Sequence, residues 1–224
     1  MYHLAALLLV LTASWAATGY AQAPVDAMQT MEEARRRWAD SPHGPMLERI
    51  LPSTYEAAQL PEPKSRGAQL TLRYCVQCHN LANPAMHDPA KWPGIVKRMV
   101  LRMQGRGNMG ELMKDMMAGV SAPGEDEARA LVAYLRKYGQ RALDPKKYPE
   151  LSQPQTQSFR LACQQCHTLP DPRRHTAKEW PAVVARMEKN MEWMNRVIGN
   201  RPVPGEPQLK IEEIVDFLVR HARP

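Results

Sequence analysis

Residues 75–103, CVQCHNLANPAMHDPAKWPGIVKRMVLRM, align without a gap on residues 163–191, CQQCHTLPDPRRHTAKEWPAVVARMEKNM, 88 positions further on. The matched positions include Cys75/Cys163, Gln77/Gln165, Cys78/Cys166, His79/His167, Pro84/Pro172, His87/His175, Trp92/Trp180, Arg98/Arg186, Met99/Met187 and Met103/Met191. A shared pattern this long, rich in cysteine, histidine and tryptophan, is one structural unit written twice. Each copy then belongs to its own domain of about 80 residues, near the lower practical size for an independent core.

The chain has 224 residues, 44% of them hydrophobic and 24% charged, with a formal net charge of +7. That composition fits one or two small folded domains and excludes a disordered tail, a large multidomain enzyme and a polytopic membrane protein. All 4 cysteines fall in the two repeats, leaving none for an ordinary disulfide framework. With only 2 phenylalanines, the interior must be filled mainly by something else.

Residues 4–11 form an apolar run followed by small residues. The run is too short to span a bilayer and has the form of a secretory signal. Cleavage is expected after Ala21, which makes 1–21 a signal peptide and directs the mature chain to the periplasm without a transmembrane segment. Residues 22–62 are expected to be an N-terminal extension, with a short helix over 28–38 and a proline-rich arm that wraps a domain. The first domain is assigned to 63–143 and the second to 144–224.

Both domains read as helical. The segments before Cys75 and Cys163 contain few helix breakers. Asp88-Pro89 offers an N-cap oxygen and a first-turn proline, and Thr176 with Glu179 forms a capping-box pattern. Trp92, Ile95, Val96, Met99 and Met103 recur at helical spacing, as do Trp180, Val183, Val184, Met187 and Met191. Pro93 and Pro181 imply a bend, or a start nearer the tryptophan. Amphipathic stretches at 126–138 and 210–221 close the units, and no segment shows strand alternation. Residues 139–152 read as a linker.

Cys75-x-x-Cys78-His79 and Cys163-x-x-Cys166-His167 have the spacing for c-type haem attachment. Two thiols one turn apart can each bond one vinyl side of a porphyrin, and the next residue is delivered to the iron as proximal imidazole. A redox dithiol has no need of an adjacent histidine in both copies, and a zinc site gathers its four ligands in one place. The methionines at 109, 113, 116 and 117 could suggest a soft copper site, but they have no repeated partner and read as amphipathic packing.

On these residues the chain resembles a two-domain dihaem cytochrome c of class I type, over 63–143 and 144–224. The resemblance implies an all-α fold of two tandem helical domains, each wrapped around one covalently bound haem c. It implies haem attachment at Cys75, Cys78, Cys163 and Cys166, with His79 and His167 on the irons. A thioether is the usual distal partner in electron-carrying cytochromes c. Repetition leaves Met99/Met187, the favoured pair, Met103/Met191, and His87/His175 as candidates. Trp92 and Trp180 are candidates for the haem edge or for plain core, and Arg98 and Arg186 for haem propionates or a solvated face.

The function implied is periplasmic electron transfer through two haems, not catalysis. The alternatives are an electron-transfer subunit of a larger oxidoreductase and a dihaem peroxidase. Each ferric haem adds a formal charge of about −1, leaving roughly +5. Acidic periplasmic redox proteins or a membrane-bound oxidoreductase are the expected partners, steered by charge and weakened by salt. Nucleic acid is not expected.

Overall fold

The computed structural model describes residues 54–107, 109–165, 167–198 and 209–224, with Glu32, Glu33, Arg36 and Ile50 as isolated positions. The expected signal peptide, most of the 28–38 helix and Cys166 lie outside the described residues. The chain is helical: α1 (Arg66–Tyr74), α2 (Trp92–Met103), α3 (Glu111–Met117), α4 (Glu125–Tyr138), α5 (Gln157–Cys163), α6 (Trp180–Ile198) and α7 (Ile211–Arg220). Among the described residues β-pairing is confined to isolated bridges, Ala142 with Pro170 and Thr176 with Arg223. None of the described helices is long and apolar enough to cross a membrane.

Local chemistry sets the helix boundaries. Ser65 caps α1 by accepting from the Ala68 amide at 3.3 Å. Asp88 does not cap α2 directly, contrary to the sequence expectation. Its carboxylate accepts from the Ala90 and Lys91 amides and closes a separate turn. The helix begins at Trp92, so Pro93 falls in the first turn, where a missing N–H breaks no intrahelical bond. Thr176 and Glu179 do pair, the Glu179 carboxylate accepting from both the backbone and the hydroxyl of Thr176, but α6 starts only at Trp180, so the pair closes a turn ahead of the helix, as Asp88 does, instead of capping it as the sequence pattern suggested. In α4, Glu125, Asp126 and Glu127 in the first turn and Arg136 and Lys137 in the last complement the helix dipole.

Buried side chains fall into clusters that follow the chain. Leu60, Ala68, Leu72, Val76, Leu81, Trp92, Val96, Tyr134 and Leu135 form one, with Leu70, Tyr74 and Leu131 in a smaller one beside α1 and α4. A third joins Leu143, Tyr148, Leu151, Phe159, Ala162, Trp180, Val184, Ile214, Phe217 and Leu218. Both phenylalanines of the chain lie in that third cluster, fully buried, with ring centroids 4.7 Å apart. Leu143, Tyr148 and Leu151 come from the stretch read as linker, so it also supplies core.

The arm packs as well. Tyr55 and Ala57 lie against the first cluster, the Tyr134 hydroxyl donates to the Pro61 carbonyl at 2.7 Å, and Lys137 pairs with Glu62 at 2.8 Å. It also reaches the second half of the chain: the Thr54 hydroxyl donates to Asn190 at 2.9 Å, and the Arg186 guanidinium lies 5.8 Å from the Tyr55 ring centre.

Candidate functional site

Cys75 is the C-cap of α1, and its amide donates to the Thr71 carbonyl, so the first thiol leaves the helix where the chain turns. Cys163 is the last residue of α5, the matching place in the second copy. Cys78 is buried. Burial, reinforced by the neighbouring Cys78 thiol, pushes the Cys75 thiol up to about 12, so it is neutral at physiological pH.

The two histidines share one geometry. His79 Nδ1 lies 2.7 Å from the Asn80 carbonyl oxygen and His167 Nδ1 2.9 Å from the Thr168 carbonyl oxygen. A carbonyl oxygen can only accept, so each contact is a hydrogen bond in the tautomer that carries its proton on Nδ1, and that tautomer leaves the Nε2 lone pair for a ligand. Burial lowers the pKa of both imidazoles, which keeps that lone pair available at neutral pH. Such an Nδ1–H to carbonyl bond is the outer-sphere contact that orients an iron-bound histidine.

The loop after each histidine is also repeated. Asn83 and Asp171 each accept from the backbone amide two residues on, opening 3-10 turns at Pro84–Met86 and Pro172–Arg174. The buried Trp92 indole donates to the Pro84 carbonyl at 2.9 Å, and the Trp180 indole to the Pro172 carbonyl at 2.8 Å. His87 and His175 stand edge-on to those tryptophans at 5.1 and 4.8 Å. Both are lowered in pKa chiefly by burial. Each loop is tied to the chain following the last helix of its half: the Gln140 amide donates to the His87 carbonyl at 2.8 Å, and the Arg223 amide to the His175 carbonyl at 3.1 Å.

The methionine pairs separate by packing. Met103 lies against the small cluster that also touches Cys75, and Met191 lies against the third cluster together with Cys163. Met99 and Met187 are partly buried, but among the described residues neither packs against these clusters. The Met187 sulfur instead accepts from the Asn190 amide at 3.9 Å, on the side of α6 that meets Thr54. Arg98 is exposed, and Arg186 is partly buried with its Nε lacking a partner. The Met116 side chain lies outside the described residues.

The repeat pairs Gln77 with Gln165 but gives neither a role, and it does not reach Gln140. Gln77 is buried and clamps Ser121: its amide donates to the Ser121 carbonyl at 3.0 Å, and its oxygen accepts from the Ser121 backbone and hydroxyl. Gln165, its counterpart, is exposed. Gln140, in the stretch read as linker, reaches His167 and Thr168; it lies outside the aligned segments and no motif marks it.

Among the described residues, no group of three or more His, Cys, Asp or Glu side chains is gathered as a metal cluster. Comparison of the chain with protein-family models, curated proteins and solved structures finds no match.

Proposed function

We propose that this chain is a periplasmic dihaem c-type cytochrome, passing electrons between redox partners through haem c attached at Cys75 and Cys78 and at Cys163 and Cys166. One observation carries the reading: in both copies the histidine after the cysteine pair has Nδ1 committed to the next residue's carbonyl, leaving Nε2 for iron. That is the tautomer and orientation a proximal ligand requires, and it fits the group.

Haem bound there supplies a one-electron ferric–ferrous couple. The chain's own part is to hold that couple still. Trp92 and Trp180 pin the loops through the proline carbonyls. His79 and His167 are kept neutral by burial. For the distal thioether, the sequence favours Met99 and Met187, whereas the packing of Met103 and Met191 against the same clusters as Cys75 and Cys163 favours the second pair. A methionine thioether opposite each histidine would leave no open site for substrate, which is why carriage is preferred to peroxidase chemistry. The basic sequence supports docking on acidic partners.

The test is the intact mass of protein matured in a host that attaches haem c. Two added haems are expected, and one in a Cys163→Ala/Cys166→Ala variant; no added mass overturns the reading. The visible spectrum then assigns the ligands: Met103→Ala should abolish the methionine-to-iron charge-transfer band of one haem while Met99→Ala leaves both. Two low-spin haems inert to peroxide are expected, and peroxide turnover at a high-spin haem would replace the carrier by an enzyme.

A further inference from the structure

We infer that Gln140 is a positioning residue for the second haem, raising its reduction potential and tying its proximal histidine to the first half of the chain. The inference rests on the haem reading above. Gln140 follows α4, at the end of the first unit, and is 4% exposed. Its backbone amide donates to the carbonyl of His87, in the first copy's loop, at 2.8 Å. Its side chain crosses to the second copy, where Nε2 donates to the Thr168 carbonyl at 2.5 Å and stands 3.0 Å from His167 Nδ1.

The Thr168 carbonyl therefore serves two donors, the Gln140 amide and the His167 Nδ1–H at 2.9 Å. In the tautomer that leaves Nε2 for iron, both nitrogens are donors, and they share one acceptor. An oxygen already engaged by an amide draws less strongly on the imidazole proton, and the imidazole becomes a less electron-rich ligand. A less electron-rich imidazole disfavours the more positively charged ferric state, so the contact raises the potential. Arg223, which holds the His175 loop as Gln140 holds the His87 loop, directs its guanidinium to Glu179 at 3.6 Å.

The experiment is a spectroelectrochemical titration of the holoprotein and its Gln140→Met variant, the electrode supplying and removing one electron per haem. Methionine keeps the length and the net charge and removes the donors. Mass spectrometry first establishes two haems in both proteins; their absence from the wild type overturns the haem reading, not this one. Half of the absorbance change should move to lower potential, by about tenfold in the ferric–ferrous equilibrium, or ~59 mV for one electron, while the other half stays. In parallel, one histidine Nδ1–H resonance of the reduced protein, labelled with nitrogen-15, should shift. A titration in which neither half moves, both move together, or one moves upward overturns the proposal. A variant that fails to take up the second haem is replaced by Gln140→Leu, read in the same way.

Discussion

The indole N–H of Trp92 and that of Trp180 are buried donors, each given to a proline carbonyl eight residues earlier in the chain. Replacing either by phenylalanine keeps most of the ring and strands the carbonyl. Trp92→Phe and Trp180→Phe should each cost about 1–3 kcal/mol in urea unfolding of the holoprotein; losses below about 0.5 kcal/mol in both would show that the loops are held by other contacts. Tyr74 gives a second prediction. Its hydroxyl donates to Glu127 at 2.7 Å, and burial followed by that bond pushes its pKa from an ordinary 10.0 up to about 12. The folded chain thus prefers the neutral phenol. The stabilisation is complete below pH 10 and is lost as pH rises through about 12. Glu127 works in the opposite sense: the Tyr74 bond first, helped by the Gly124 amide and Arg73, holds its carboxyl below the ordinary 4.5, so its contribution is lost in acid. Tyr74→Phe should flatten the alkaline limb of a stability–pH profile and shrink the acid limb. An alkaline limb unchanged from wild type would sink the assignment.

At the scale of elements, the crossing of α1 over α4 explains how one interior can be built in two ways. A β-carbon at Gly67 would stand 2.3 Å from the Tyr134 β-carbon, inside any real contact, so the helices approach this closely only because residue 67 is glycine. Thr71 is fully buried there, and its hydroxyl satisfies itself on the Gly67 carbonyl at 2.8 Å. In the second copy the position matching Thr71 is Phe159, and α5 meets α7 through Phe159 and Phe217 instead. Gly67→Ala should therefore lower stability by about 1–3 kcal/mol through overpacking, seen as a lower melting temperature of the holoprotein; an unchanged melt would mean that α1 slides freely on α4. This contrast also marks what the sequence could reveal. The repeat exposed the cysteines, histidines, tryptophans and helix faces, because covalent chemistry and helical period leave fixed spacings. The start of α2 was legible only to within a turn, since Asp88 can close a turn or cap a helix with the same oxygen. The packing difference between Met99 and Met103 was not legible, because both lie on one helical face and only the neighbouring elements separate them.

Across the whole molecule, the stretch after α4 binds the halves instead of spacing them. The Leu143 amide donates to the Leu169 carbonyl at 2.9 Å and the Asp171 amide to the Arg141 carbonyl at 3.4 Å, around the Ala142–Pro170 bridge. Arg174, in the loop after the second cysteine pair, donates to the Gly139 carbonyl at 3.0 Å and the Tyr138 carbonyl at 2.8 Å. Its guanidinium has lost water, and desolvation lowers its pKa. It closes the end of α4, where free carbonyls would otherwise face the second half. These contacts join halves whose buried clusters are otherwise local in sequence, and Arg174 supplies two of them from one side chain. Arg174→Leu removes both donors while keeping an apolar stem of comparable reach. The two carbonyls are then left without these partners, at a cost of about 1–3 kcal/mol each, and that loss falls on the contact between halves instead of on either interior. Scanning calorimetry of the wild-type holoprotein should give one transition with matching calorimetric and van't Hoff enthalpies. In Arg174→Leu the calorimetric enthalpy should exceed the van't Hoff value as the single peak separates into two. A variant that melts lower but still in one matched transition would show that the contacts it keeps, the backbone bonds around the Ala142–Pro170 bridge, Gln140 and the arm, are enough to couple the halves.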